Sequence, residues 1–207
     1  RARMSTDDER NDRATQILDV AEALVQTRGF NGFSYADIAV ELGITKASVH
    51  YHFSSKSELG SALVCRYTDR FAESLTAIGN GSGDSLSKLK SYINLYLEVL
   101  TAERMCLCGM LAAEYSTIPK PMRKELVRFF EQNEAWLTEL LEAGRNERKF
   151  EFSGSPTDSA RMITSTLEGA LLVARPFGEI ARFEQAANRL VASLIPAGQV
   201  IIIDGRA

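Results

Sequence analysis

The sequence predicts an all-α fold, and three observations lead there. Apolar residues recur at three- and four-residue intervals along most of the chain. Capping residues stand just before these stripes, and glycine or proline stands just after them. No alternating apolar and polar run of strand type survives elsewhere. The segments so marked give about nine helices. With 207 residues, 45% of them hydrophobic, the chain can bury a sizeable core in one large or two small domains.

The first helix is marked by Ala14, Ile17, Leu18, Ala21, Leu24 and Val25, and Gly29 ends it. Ser34 with Asp37 reads as a capping pair for a second, short helix. Leu42-Gly43-Ile44 breaks the pattern, and Thr45 caps a third. Ser55 with Glu58 reads as a capping box opening a longer helix, which carries Leu59, Leu63, Tyr67, Phe71 and Leu75 on one face. Gly79 to Gly83, GNGSG, is the clearest breaker and is read as the joint between an N-terminal module, 10–70, and a larger one, 84–196. Leu86, Leu89, Ile93, Tyr96, Leu97 and Leu100 resume the helical period, and a short helix around Cys108 to Tyr115 follows. Pro119 and Pro121 open a helix bearing Met122, Leu126, Phe129, Phe130, Asn133, Leu137, Leu140 and Leu141, ended by Gly144. Ser155-Pro156-Thr157-Asp158 combines an N-cap, a first-position proline and a first-turn acid. The helix it opens, to about Arg175, is apolar on most sides. The last helix shows Phe183, Ala187, Leu190, Val191 and Leu194 before Pro196. The closing run VIIIDGRA has no place in this scheme. Arg1-Ala2-Arg3 precede Met4, which is read as the natural start.

The net charge of −3 is not that of a generic polyanion binder, but the local pattern differs. Between Leu42 and Ser57 the charged residues are Lys46 and Lys56, with His50 and His52 beside them and no Asp or Glu. Two short helices broken by a glycine turn, the second bearing small, polar and aromatic side chains, are what a helix-turn-helix needs to enter a DNA major groove. Ala47 and Ser48 allow close backbone approach to base edges. Lys46 can donate to guanine O6 or N7, or to phosphate. The hydroxyls of Ser34, Tyr35, Thr45 and Tyr51 are candidate phosphate donors. Lys56 joins a cation to free N–H groups near a helix start. Val49 and Phe53 are expected inside.

These segments carry a resemblance to the TetR family of bacterial transcriptional regulators. The matching pieces are the Gly29-Phe30 turn, SYADIA from Ser34, LGITKASV from Leu42 and YHFSSKSEL from Tyr51, in order over roughly residues 10–60. The C-terminal part is similar only in length and helical layout. The resemblance implies a homodimeric regulator, most simply a repressor, that holds a palindromic double-stranded operator and releases it on binding a small-molecule effector in its C-terminal helical domain. It also implies phosphate contacts by Tyr51 and Lys56. Many members carry tyrosine where this chain has His50, whose charge would depend on pH.

Other chemistry finds little support. His50 and His52 are two apart on a helix and point away from each other, so they make no metal pair. No histidine remains for a nucleophilic pair elsewhere, and there is no phosphate-cradling glycine loop. Only carboxylates such as Glu114 or Glu168 leave room for an enzyme, and none is expected; nor is any cofactor. No apolar run approaches a membrane span, and three cysteines suggest a reducing cytoplasm rather than a disulfide scaffold. Cys106 and Cys108 lie by a helix start, with Arg104 nearby, where a thiol gains thiolate character, so a sensor of electrophiles or oxidants is the alternative reading. Cys65 reads as packing. Effector contacts are expected among Tyr92, Tyr96, Met105, Met110, Tyr115, Phe129, Phe130, Trp136 and Met162, which favour a flat aromatic or acyl ligand. Gly169, Ala170 and Ala174 mark the helix from Asp158 as half of a four-helix dimer interface.

Overall fold

The computed structural model describes residues 6–198 and 202–204, with side chains from Arg10 onward. Met4 and most of the closing run, including Val200, Ile201 and Gly205, lie outside the described residues. Among the described residues the chain forms nine α-helices, one turn of 3-10 helix and no strand. The helices are α1 (Thr6–Arg28), α2 (Tyr35–Leu42), α3 (Lys46–His52), α4 (Lys56–Asn80), α5 (Ser85–Thr101), α6 (Leu107–Ala113), α7 (Lys120–Asn146), α8 (Pro156–Ala174) and α9 (Ile180–Ala192), with the 3-10 turn at Arg175–Phe177.

The chain divides into two compact units. The first takes the chain up to Thr68 together with Leu107–Val127. The second takes Asp69–Cys106 and the chain from Arg128 onward. Both α4 and α7 therefore begin in the first unit and end in the second. The return of Leu107–Val127 to the first unit was not legible in the breaker pattern, because it depends on α6 packing against α1 rather than on any local signal.

In the first unit Ile17, Ala21, Val25, Ile38, Val49, Leu59, Leu63 and Leu111 are completely buried. The expected stripes thus face one core. Removing apolar area from water is the main stabilising term for such a bundle. Ser34 caps α2 through a reciprocal box: its backbone N–H donates to Asp37 Oδ2 at 2.7 Å, and its Oγ accepts from Ala36 N at 3.2 Å. Gly43 ends α2 at φ 63°, a left-handed position that costs glycine no Cβ clash. Thr45 caps α3 by accepting from Ser48 N at 3.1 Å. Ahead of α4, Glu58 N donates to Ser55 Oγ at 3.1 Å, but the Glu58 carboxylate takes Ser54 N and Ser54 Oγ at 3.0 and 2.6 Å. The expected box is therefore shared between two serines.

The second unit has a core of α5, α7, α8 and α9, in which Leu89, Tyr92, Ile93, Phe129, Leu137, Leu141, Ile163, Leu167, Leu171 and Phe183 are completely buried. Asp84 caps α5 by accepting from Ser87 N at 2.9 Å and pairs with Lys149 at 2.8 Å. Ser155 caps α8 and Pro156 stands in its first turn. The unplaced tail gains one anchor: Ile203 is buried, its N–H donates to Asn188 Oδ1 at 2.7 Å, and its carbonyl accepts from Asn188 Nδ2 at 3.1 Å.

Candidate nucleic-acid interface

The helix-turn-helix is α2, the Gly43 turn and α3. Val49 is the inward anchor of α3 and is completely buried; Phe53, just past its end, is nearly so. With these two residues inside, Thr45, Lys46, Ala47, His50 and Tyr51 are exposed, and Ser48 and His52 are half-buried. Tyr51 leaves 67% of its surface in solvent, a high fraction for an aromatic residue beside a folded core. The exposed face of α3 carries hydroxyl, imidazole, phenol and ammonium groups and no carboxylate, which suits a polyanion.

Two expected phosphate donors are turned inward. Tyr35 is 8% exposed and donates its hydroxyl to the Phe53 carbonyl at 3.0 Å. Burial, then the nearby Glu58 charge, pushes its pKa to about 12. Its ring also meets the edge of His50 at 4.6 Å. Tyr35 thus ties the first residue of α2 to the end of α3. Lys56 reaches back instead of out: its ammonium donates to the carbonyls of Phe30, at 2.6 Å, and Phe33. It lies 4.7 and 4.2 Å from the two ring centroids, a cation–π arrangement. Desolvation lowers its pKa. Among the described residues no backbone N–H outside the helices donates to these two loop carbonyls, and the ammonium satisfies them.

His50 stays exposed, with Nδ1 3.3 Å from the Ser54 carbonyl. His52 is held below its ordinary pKa, first by burial and then by Arg10 and Arg13. Those arginines were missed in the sequence. Arg10 lies on α1 with its guanidinium 5.2 Å from the Tyr51 ring centroid, so α1 adds cations beside the exposed end of α3. Their signal was two arginines, three apart, on the first turns of a helix that the charge count around α3 did not include. Val40, on α2, is 80% exposed and was also missed.

Glu114 is a scaffold group. Its carboxylate accepts from Phe30 N at 2.6 Å, and from Asn31 N and Nδ2 at 3.1 and 3.0 Å. Gly29 permits this. It has φ 81°, and a Cβ there would stand 2.9 Å from a Glu114 oxygen.

The expected effector residues divide between the units. Tyr92, Tyr96, Met105, Cys106 and Phe129 are buried in the second, with Phe130 and Trp136 half-buried there. Cys108, Met110 and Tyr115 belong instead to the first, because α6 packs on α1, and Tyr115 is exposed under Arg123. Met162 lies on the outer side of α8, 42% exposed. Among the described residues no group of His, Cys, Asp and Glu could hold a metal ion, and no helix is long and apolar enough to cross a membrane.

Residues 17–63 match the family model described as bacterial regulatory proteins, tetR family, and residues 85–190 match the tetracyclin repressor-like C-terminal domain. The chain is similar to the HTH-type transcriptional repressor NemR of Escherichia coli K12, 26% identical over 170 residues, which cover 80% of this chain and 85% of NemR. A TetR-family transcriptional regulator from Agrobacterium tumefaciens has a similar structure, with TM-score 0.87 and 30% identity over 90% of this chain and 100% of its own. The reduced form of E. coli NemR superposes with TM-score 0.80 at 26% identity, over 90% of this chain and 99% of its own. The two matches span the whole helix-turn-helix and most of the C-terminal helices, and the chain belongs to the tetR family of bacterial regulatory proteins.

Proposed function

We propose that the chain is a cytoplasmic, effector-released repressor that binds a palindromic DNA operator as a homodimer. The observation that carries this is the α3 face, where Thr45, Lys46, Ala47, His50 and Tyr51 are exposed beside Val49 and Phe53 anchors, with no acid between Leu42 and Ser57. Lys46 and the α3 N-terminal residues read base edges; Ser34, Ser48, Tyr51 and Arg10 position the phosphates. Repressors among its relatives, NemR included, support the sign of regulation.

Dimerisation is assigned to α8 and its neighbour α9. Leu172, Val173 and Phe177 are 52, 59 and 54% exposed on one end of this pair, more apolar surface than a lone helix hairpin needs. The effector is assigned to the interior of the second unit, between α5, α7 and α8, where Tyr92, Tyr96, Phe129 and Trp136 gather. Because α4 runs unbroken from Lys56 to Asn80, a shift of its C-terminal half on effector binding is carried to the segment behind α3. Selection of bound fragments from the source genome, followed by gel shift with and without effector, tests the reading. A palindromic consensus supports it. Sequence-independent binding with no consensus overturns it.

A second reading, thiol sensing by Cys106 and Cys108, draws on the reduced form of the NemR neighbour. Both thiols are buried here, so an oxidant must reach an interior group. Cys106→Ser or Cys108→Ser that leaves an electrophile response intact rejects it.

A further inference from the structure

The second unit contains a buried acid with no N–H or O–H donor among the described residues. Glu168 lies on α8, one turn beyond Thr164 and on the same face. Both of its carboxylate oxygens are sealed from solvent, and no N–H or O–H group among the described residues donates to either. The thiol of Cys106, a weak donor, is the only neighbour that eases its ionisation, and burial drives its pKa up to about 7.

The hydroxyls that flank Glu168 do not satisfy it, because their protons are committed elsewhere. Tyr92 donates to Asn133 Oδ1 at 3.2 Å. With that proton used, Tyr96 is the donor in its 3.0 Å contact with Tyr92. Thr164 donates to the Ala160 carbonyl at 3.2 Å, and Asn133 Nδ2 to the Phe129 carbonyl at 2.8 Å. The charge of Glu168 is among the causes that raise the pKa of both tyrosines, after burial. The rings around this pair make an aromatic wall: Trp136 stacks on Tyr92 at 5.6 Å, and Phe71 meets Tyr92 and Tyr96 at 6.3 and 6.2 Å.

A buried carboxylate without donors is costly, and natural cores seldom keep one unless something else pairs with it. One carboxylate among aromatic rings lacks the oxygen set that a divalent cation needs. It matches an organic cation, whose charge the carboxylate answers and whose apolar body the rings cover. The same unit also holds a cavity farther along α5 and α8. It measures about 280 Å³ and opens where these two helices end, lined in part by Leu100 and Ala174. Leu100 is one turn past Tyr96, and Ala174 nearly two turns past Glu168. Glu103, Arg104, Arg175 and Glu179 give its rim two charges of each sign, so it does not repel a cation.

We propose that Glu168 is the charge-recognising residue of the effector site, and that the effector carries a protonated amine on an aromatic body. This rests on the reading that the effector enters the second unit. It is tested by calorimetric titration of the full chain with three probes of one body: 4-phenylbutylamine, 4-phenylbutanol and 4-phenylbutyrate. The amine is expected to bind about tenfold or more tighter than the alcohol, as a desolvated charge pair allows. Glu168→Gln should erase that preference, bringing the amine's affinity down to that of the alcohol. The unliganded Glu168→Gln protein should also melt higher than the parent, since an unpaired buried acid is gone. Equal affinity for amine and alcohol, or a preference that survives Glu168→Gln, overturns the role of Glu168 and leaves an effector site in this unit standing. Binding of none of the three removes both.

Discussion

Glu114 Oε2 accepts the backbone N–H of Phe30 at 2.6 Å, joining residues 84 positions apart. The same carboxylate holds both donors of Asn31, so one acid from the segment after α6 fixes the loop that leads into the helix-turn-helix. Glu114→Ala should cost about 1–3 kcal/mol by stranding partly buried donors. Gly29→Ala should cost a similar amount, through its positive φ and the 2.9 Å approach of Glu114 to the added Cβ. Thermal or urea unfolding reads both. An unchanged midpoint for Glu114→Ala would show that the clamp is not stabilising.

The α3 face and the inward residues should separate by assay. Lys46→Ala and Tyr51→Ala are expected to abolish operator binding in gel shifts while leaving the melting temperature within a degree or two. Lys46→Ala should also lower the salt slope of any residual affinity by about one. Retained affinity in both variants would exclude α3 as the reading helix.

Tyr35→Phe should do the opposite. It removes the donor to the Phe53 carbonyl and should cost about 1 kcal/mol of stability with little change in DNA affinity. Lys56→Met should likewise destabilise, because the carbonyls of Phe30 and Phe33 lose their ammonium. A large loss of affinity with normal stability in either variant would return that side chain to the phosphate contacts.

Stability should also depend on pH through Glu168. Its pKa rises from 4.5 to about 7 on folding, so the native state binds more protons than the unfolded chain between those values. Unliganded stability therefore falls as pH rises from 4.5 to 7 and levels off above. Glu168→Gln should flatten this slope. Asp84 works in the other direction: Lys149 and the Ser87 donors hold its pKa well below the usual range. Its contribution is present above its unfolded pKa and is lost as pH falls below about 4. Asp84→Asn should blunt that acid limb in a series of melts from pH 3 to 8.

Leu172→Glu with Val173→Lys should leave the chain folded and monomeric by light scattering, since both side chains are exposed on α8 in the single chain. A dimer that persists in this variant would move the interface elsewhere.

The helices, their caps and the exposed face of α3 were legible in the sequence because they rest on local rules. Period, N-caps and left-handed glycines act within four residues, and Ser34, Gly43, Thr45 and Ser155 sit where those rules put them. What a polar side chain does with its atoms is not local. Tyr35 and Lys56 had the chemistry of phosphate donors, yet buried carbonyls 18, 26 and 23 residues away claim them. Glu114 was an acid without a visible partner until the first unit brought Phe30 and Asn31 to it. Glu168, read the same way, meets no N–H or O–H donor among the described residues, only the weak thiol of Cys106. The sequence alone therefore determined the family and which side chains of α3 stay exposed. Only the tertiary structure decided which polar groups are already satisfied within the chain, because a buried donor or acceptor takes the nearest partner in space, whatever its distance in sequence.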